Sequence, residues 1–128
     1  SNETTETRQI IEKIHSQAKS GEPIVVESGY FFYEAAQYST EENKVWFTDW
    51  TQDYRVGSLR MLADSDENKI KDFSEFSKKY STVWVIYSYG ETEKAPMDSS
   101  WKLEYQEVVK DKLLEKNHYL IQKFSIQK

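Results

Sequence analysis

Ile24-Val25-Val26 is the stretch that most constrains what this chain can fold into. Three consecutive β-branched residues are too short a run for a helix. An unbroken apolar run of this kind reads as a strand buried on both faces, as found inside a parallel sheet. Ser28-Gly29 supplies a turn, and residues 30–38 then switch to helical spacing, with Phe32, Ala35 and Ala36 on one face. The small alanines let that helix lie close on a sheet. A buried strand running directly into a helix opens a βαβ unit, and in such folds ligands gather beyond the carboxyl ends of the strands. Glu27, Ser28 and Tyr30 are thereby placed near any site the chain has.

The rest of the chain continues the alternation. Residues 5–19 carry Ile10, Ile14 and Ala18 at four-residue spacing, which predicts an amphipathic helix stopped by Ser20-Gly21 and Pro23. His15 lies beside that stripe and reads as a surface or boundary histidine. Lys44 to Thr48 reads as a second strand, followed by a polar, aromatic loop from Asp49 to Tyr54. Val56 to Ala63 is expected to hold one or two helical turns. Asp72 and Glu75 have the spacing of a capping box, ahead of a helix with Phe73, Phe76 and Tyr80 on one face. Thr82 to Tyr87 is the strongest strand pattern. Trp101, Tyr105, Val108, Val109 and Leu113 recur at helical spacing, predicting a helix to about Lys116. Tyr119 to Ile126 alternates as an edge strand would.

Composition narrows the function classes. A formal net charge of −5 and arginine only at positions 8, 55 and 60 argue against a nucleic-acid partner, because phosphate neutralisation needs a basic face. The absence of cysteine excludes disulfides, thiolate metal sites and cysteine nucleophiles. No apolar run reaches the length of a membrane span, and no signal peptide is visible. Aromatic residues make up 15% of the chain, so the core is expected to rest on a few large side chains. Ser1-Asn2 resembles a cleavage scar, which would make this a piece of a longer protein. Residues 1–7 are expected to be a tag remnant or disordered terminus, and 8–128 a single domain.

Several groups of residues bear on chemistry. Asp64, Asp66, Asn68, Ile70, Asp72 and Glu75 follow the positions of a calcium loop. Lys69 stands where that loop needs glycine, Lys71 replaces the usual apolar residue, and Glu75 is already explained by the capping box. No metal site is therefore expected. No G-x-S-x-G elbow, dinucleotide fingerprint or P-loop occurs, so no triad and no cofactor are expected. Glu27, Glu34 and Asp49 could lie near the carboxyl edge of the sheet. A glycosidase would need two of them about 5 to 9 Å apart, with Tyr30, Trp50 and Tyr54 stacking on a sugar.

Taken together, "GEPIVVESGYFFYEAAQYS", "NKVWFTDW", "DYRVGSLRMLADSDENKIKDFSEF", "VWVIYS" and "HYLIQKFSI" resemble the extracytoplasmic tail of multi-spanning membrane glycosyltransferases. The resemblance is to the protein O-mannosyltransferase and aminoarabinose-transferase-like kind, and it covers about residues 8–126. It implies an α/β domain behind a membrane-embedded catalytic part that uses a polyprenyl-phosphate sugar. The family's catalytic residues lie in loops between membrane spans and map onto no residue here.

The expectation is a three-layer, Rossmann-like α/β domain with a mostly parallel sheet of about four strands, in order 2-1-3-4, the last strand at the edge. The expected function is an accessory domain at the extracytoplasmic face of the cell membrane, not catalytic alone. Its partners would be the membrane-embedded part of the same polypeptide and a glycan or peptide acceptor. Ser28, Tyr30, Asp49, Tyr54, Arg55 and Tyr89 are the expected ligand contacts, Arg55 as a partner for phosphate or carboxylate. Two rivals stand beside this: a free-standing sugar- or peptide-binding module, and a small hydrolase using Glu27, Glu34 or Asp49.

Overall fold

A computed structural model describes residues 2–27, 29–48, 66–87, 93–110 and 118–128. The short apolar run forms β1 (Ile24–Val26), and all three of its side chains are buried, as a strand covered on both faces requires. It lies between β2 (Val45–Thr48) and β4 (Thr82–Tyr87), parallel to both, with Val25 opposite Trp46 on one side and Val85 on the other. A two-residue strand, β3 (Lys69–Ile70), adds in parallel outside β2. Beyond β4 the sheet turns antiparallel through β6 (His118–Ile126) and ends on β5 (Trp101–Lys110). The result is an α/β domain on a six-stranded mixed, mostly parallel sheet in the order β3-β2-β1-β4-β6-β5.

Each face of the sheet has its own core. On one face α1 (Asn2–His15) and α2 (Gly29–Ala36) cover Ile24, Val26, Val45, Phe47, Trp84, Ile86 and Ile121 with Ile10, Ile11, Ile14, Phe32 and Ala35. On the other, α3 (Phe73–Lys79) and the segment leading into β5 cover Val25, Val83, Val85, Tyr87, Leu120 and Phe124 with Phe76, Trp101, Phe73, Tyr80 and Met97. The expected stripe on α3 therefore packs as its spacing requires. Asp72 caps that helix, its carboxylate accepting from the Ser74 and Glu75 amides at 2.8 and 3.2 Å. Glu75 pairs with Lys78 at 2.9 Å. Lys128 reaches the other end of α3, its ammonium donating to the carbonyls of Ser77 and Tyr80 at 2.6 and 2.8 Å. Thr7, one residue ahead of the expected domain start, is buried within α1.

The amino ends of the parallel strands are tied together. Gly21, at φ 94°, takes the left-handed turn that glycine permits and donates its amide to Glu42 at 2.7 Å. The buried Asn43 donates its side-chain amide to the carbonyls of Lys19 and Glu22 at 3.0 and 2.9 Å. Glu22 in turn accepts from the Trp84 indole at 2.9 Å and from the Lys19 amide at 3.0 Å. The α1–β1 and α2–β2 connections and β4 are thus held by one network of satisfied polar groups.

Three expectations need correction. The sheet has six strands, because β3 is too short to leave a pattern and β5 occupies Trp101–Lys110, where a helix was expected. β6 is consequently an inner strand, although the expected order of the other four holds as β2-β1-β4-β6. A bulge between Leu103 and Tyr105 explains the misreading of β5. By skipping Glu104, it sends Trp101, Gln106 and Val108 to the α3 face and Lys102, Tyr105, Glu107 and Val109 to the α1 face. Period-two alternation breaks there, and Trp101 and Tyr105 are left four apart, the signature of a helix.

Candidate functional site

The strand order locates a switch point. From β1 the chain moves outward to β2 and β3, then returns across the sheet through α3 to β4 on the other side of β1. In open α/β sheets the crevice at such a reversal lies beyond the carboxyl ends of the two strands concerned. Here those ends are Val26 and Tyr87, and the Glu27 amide donates across them to Ile86 at 3.1 Å.

At that edge the described residues are Glu27, half-buried, and the fully buried Thr48 and Tyr87 at the last positions of β2 and β4; Glu34 lies further along α2, half-buried. Lys94 brings its ammonium over the Tyr87 ring, 5.4 Å from the centroid. Its backbone is fixed from below, where the fully buried Gln122 donates to the Lys94 carbonyl at 3.1 Å and to Gln106 at 3.1 Å. Thr48 and Tyr87, which in the sequence read only as the ends of apolar strands, underlie this edge with their side chains enclosed. Their position at a carboxyl end was the available signal.

Of the expected ligand contacts, Tyr30 belongs to the first turn of α2. Ser28, Asp49, Tyr54, Arg55 and Tyr89 lie outside the described residues, as do the loop expected from Asp49 and the turns expected over 56–63. The calcium-like pattern is absorbed by structural roles where it is described. Asn68 donates its amide to the Val45 carbonyl at 3.0 Å, Asp72 caps α3 and Glu75 pairs with Lys78. Among the described residues no three of His, Cys, Asp or Glu gather as ligands for one ion. His15 is half-buried in the last turn of α1.

A second cluster of polar groups sits where α1 meets β5. The Lys13 ammonium reaches Glu107 at 2.6 Å, the Tyr105 hydroxyl donates to the same carboxylate, and Tyr105 meets Trp84 edge-on at 6.4 Å. Lys13 and Tyr105 together hold the Glu107 pKa below the usual glutamate value, against a smaller opposing effect of burial. The Glu107 carboxylate raises that of Tyr105. Lys123 lies over the Trp84 ring at 5.5 Å, so this cluster closes the outer margin of the α1-side core.

The fold defines an α/β domain whose sheet has its topological switch point at the carboxyl ends of β1 and β4. No protein-family model matches the chain, and no curated protein matches it. Among solved structures it is similar to a dihydrofolate reductase from Enterococcus faecalis complexed with NADP(H) and RAB-propyl. That likeness has a TM-score of 0.40 and 10% identity, over 94% of this chain and 83% of the other.

Proposed function

We propose that this chain is an accessory extracytoplasmic domain of a membrane-embedded glycosyltransferase that draws on a polyprenyl-phosphate sugar. The domain is inactive alone and contacts the acceptor or the membrane portion of the same polypeptide. The reading is supported by one observation: segments that carry the family resemblance coincide, in order, with elements of the fold. "PIVV" supplies β1, "YFFYEAA" supplies α2, "VWFT" supplies β2, "VWVIY" supplies β4 and "HYLIQKFSI" supplies β6. In this reading the sheet with helices on both faces is a Rossmann-like body, and its strand-end crevice is the surface offered to the acceptor. No described helix is long and apolar enough to cross a membrane. In this reading the membrane spans lie in another part of the parent chain.

The test is the complete reading frame followed by a deletion. A multi-span apolar region in the same frame is expected. Removing residues 8–128 from that protein is expected to impair transfer to the acceptor while leaving the sugar donor bound. A native gene encoding only this domain, or sugar turnover by the isolated domain, would overturn the proposal.

A further inference from the structure

We infer that the outer edge of β5 pairs with the same edge of a second copy of this chain, antiparallel about a two-fold axis at Tyr105. This goes beyond the accessory-domain reading and does not depend on it. β5 is the terminal strand, with β6 on one side and no described strand on the other. Residues 102–106 are exposed, and Leu103 and Tyr105, at 42% and 37%, are the large hydrophobic side chains left in water among the described residues. An edge strand offers its backbone donors and acceptors to any extended chain, and proteins blunt such edges with charges and bulges. β5 has both, in Lys102, Glu104, Glu107, Lys110 and the bulge at Glu104. These devices reject generic strands, and they also restrict the registers in which β5 can meet itself.

A two-fold axis normal to the sheet keeps every residue on its own face, so each can oppose only residues of that face. On the α1 face the order is Lys102, the bulged Glu104 with Tyr105, Glu107 and Val109, the Glu104 carboxylate accepting from Ser125 of β6 at 2.6 Å. An axis at Tyr105 sets Lys102 against Glu107 of the second copy, twice by symmetry. It also sets Tyr105 against its own equivalent, and on the other face Leu103 against Gln106 and Trp101 against Val108. An axis at Leu103 would oppose Lys102 to the bulged pair of Glu104 and Tyr105, where the Glu104 carboxylate is bound by Ser125, and one at Gln106 would oppose Lys102 to Val109. Axes at Lys102 or Glu107 would set like charges face to face, which is unfavourable. The Tyr105 register is the one that sets Lys102 against Glu107, the carboxylate already fixed beside the axis by Lys13 and Tyr105.

The contact residues are also preset. The Tyr105 hydroxyl is held by Glu107 and its ring is braced on Trp84, while Glu107 is fixed by Lys13. Association therefore orders little that is not already ordered. The Glu107 side chain remains 29% exposed and can accept from a second cation beside Lys13.

Sedimentation velocity on the purified chain from micromolar to millimolar concentration tests this. A monomer–dimer equilibrium is expected. Lys102→Glu and Glu107→Lys should each weaken the dimer about tenfold, and the double variant should recover most of the loss. In the unaltered chain, amide exchange over residues 102–108 should slow as concentration rises. This measurement decides the matter if a variant fails to fold. A chain monomeric at millimolar concentration, a folded double variant no tighter than the single ones, or exchange independent of concentration would each overturn the inference.

Discussion

The parallel and antiparallel halves of the sheet are built on different principles. In the parallel half, β1 is buried on both sides, β2 and β4 nearly so, and amphipathic helices complete both cores. In the antiparallel half, β5 is buried at Trp101, exposed from 102 to 106 and half-buried from 107 to 109. Trp101 fixes its start, filling the α3-side core against Phe124 and donating its indole N–H to Ser77 at 2.8 Å. Thus one half is held along its whole length by apolar burial. The outermost strand of the other half, β5, is held by its inner neighbour β6, by that anchored start, and by the polar cluster of Lys13, Glu107 and Tyr105. Stability should therefore be distributed unevenly across a single sheet.

Substitutions can break or sharpen that contrast. Trp84→Ala, in the middle of β4, removes a fully buried indole and its bond to Glu22. It should cost about 3–5 kcal/mol in denaturant unfolding, and a loss below about 1 kcal/mol would break the contrast. Asn43→Ala removes the side-chain donor to the Glu22 carbonyl and one of two donors to the Lys19 carbonyl, which keeps the Glu22 amide, and should cost about 1–2 kcal/mol, read from the shift in the unfolding midpoint. Acid probes the other half. Because the pKa of Glu107 is lowered in the fold by Lys13 and Tyr105, its contribution is complete above the unfolded-state value. It is lost as pH falls through the lowered one. The cluster is partly exposed, so the effect should be only a few tenths of a kcal/mol, and a Glu107→Gln variant should lack this part of the acid sensitivity. Leu103→Ala, measured at low protein concentration, should change stability by less than about 0.5 kcal/mol.

Legibility follows the same division. Ile24-Val25-Val26 and Thr82–Tyr87 declared themselves because a strand buried on two faces has little room for polar residues. The stripe of α1 and the capped stripe of α3 were equally plain, since one buried helix face imposes its own period. β5 was not legible, because its bulge reverses the alternation partway and its exposed middle imposes little pattern of its own. Gln122 was hidden for another reason. It reads as a solvent-facing residue of an alternating strand, yet it is enclosed and binds the backbone of the segment crossing above it. Of the candidate site, the strand-end location could be foreseen from one strand and one turn. The placement of Thr48 and Tyr87 beneath that edge needed the strand pairings, which no local pattern carries.

The network joining Gly21, Glu22, Asn43 and Trp84 gives the molecule one sealed pole. Strand alignment is locked at that pole, so the opposite one is relieved of the task. Whole connections grafted beyond Glu27, Thr48 or Tyr87 could then differ in length and chemistry while the barrier to unzipping stays where the clasp is. A lineage, or a protein engineer, could exchange recognition surfaces there on an unchanged chassis.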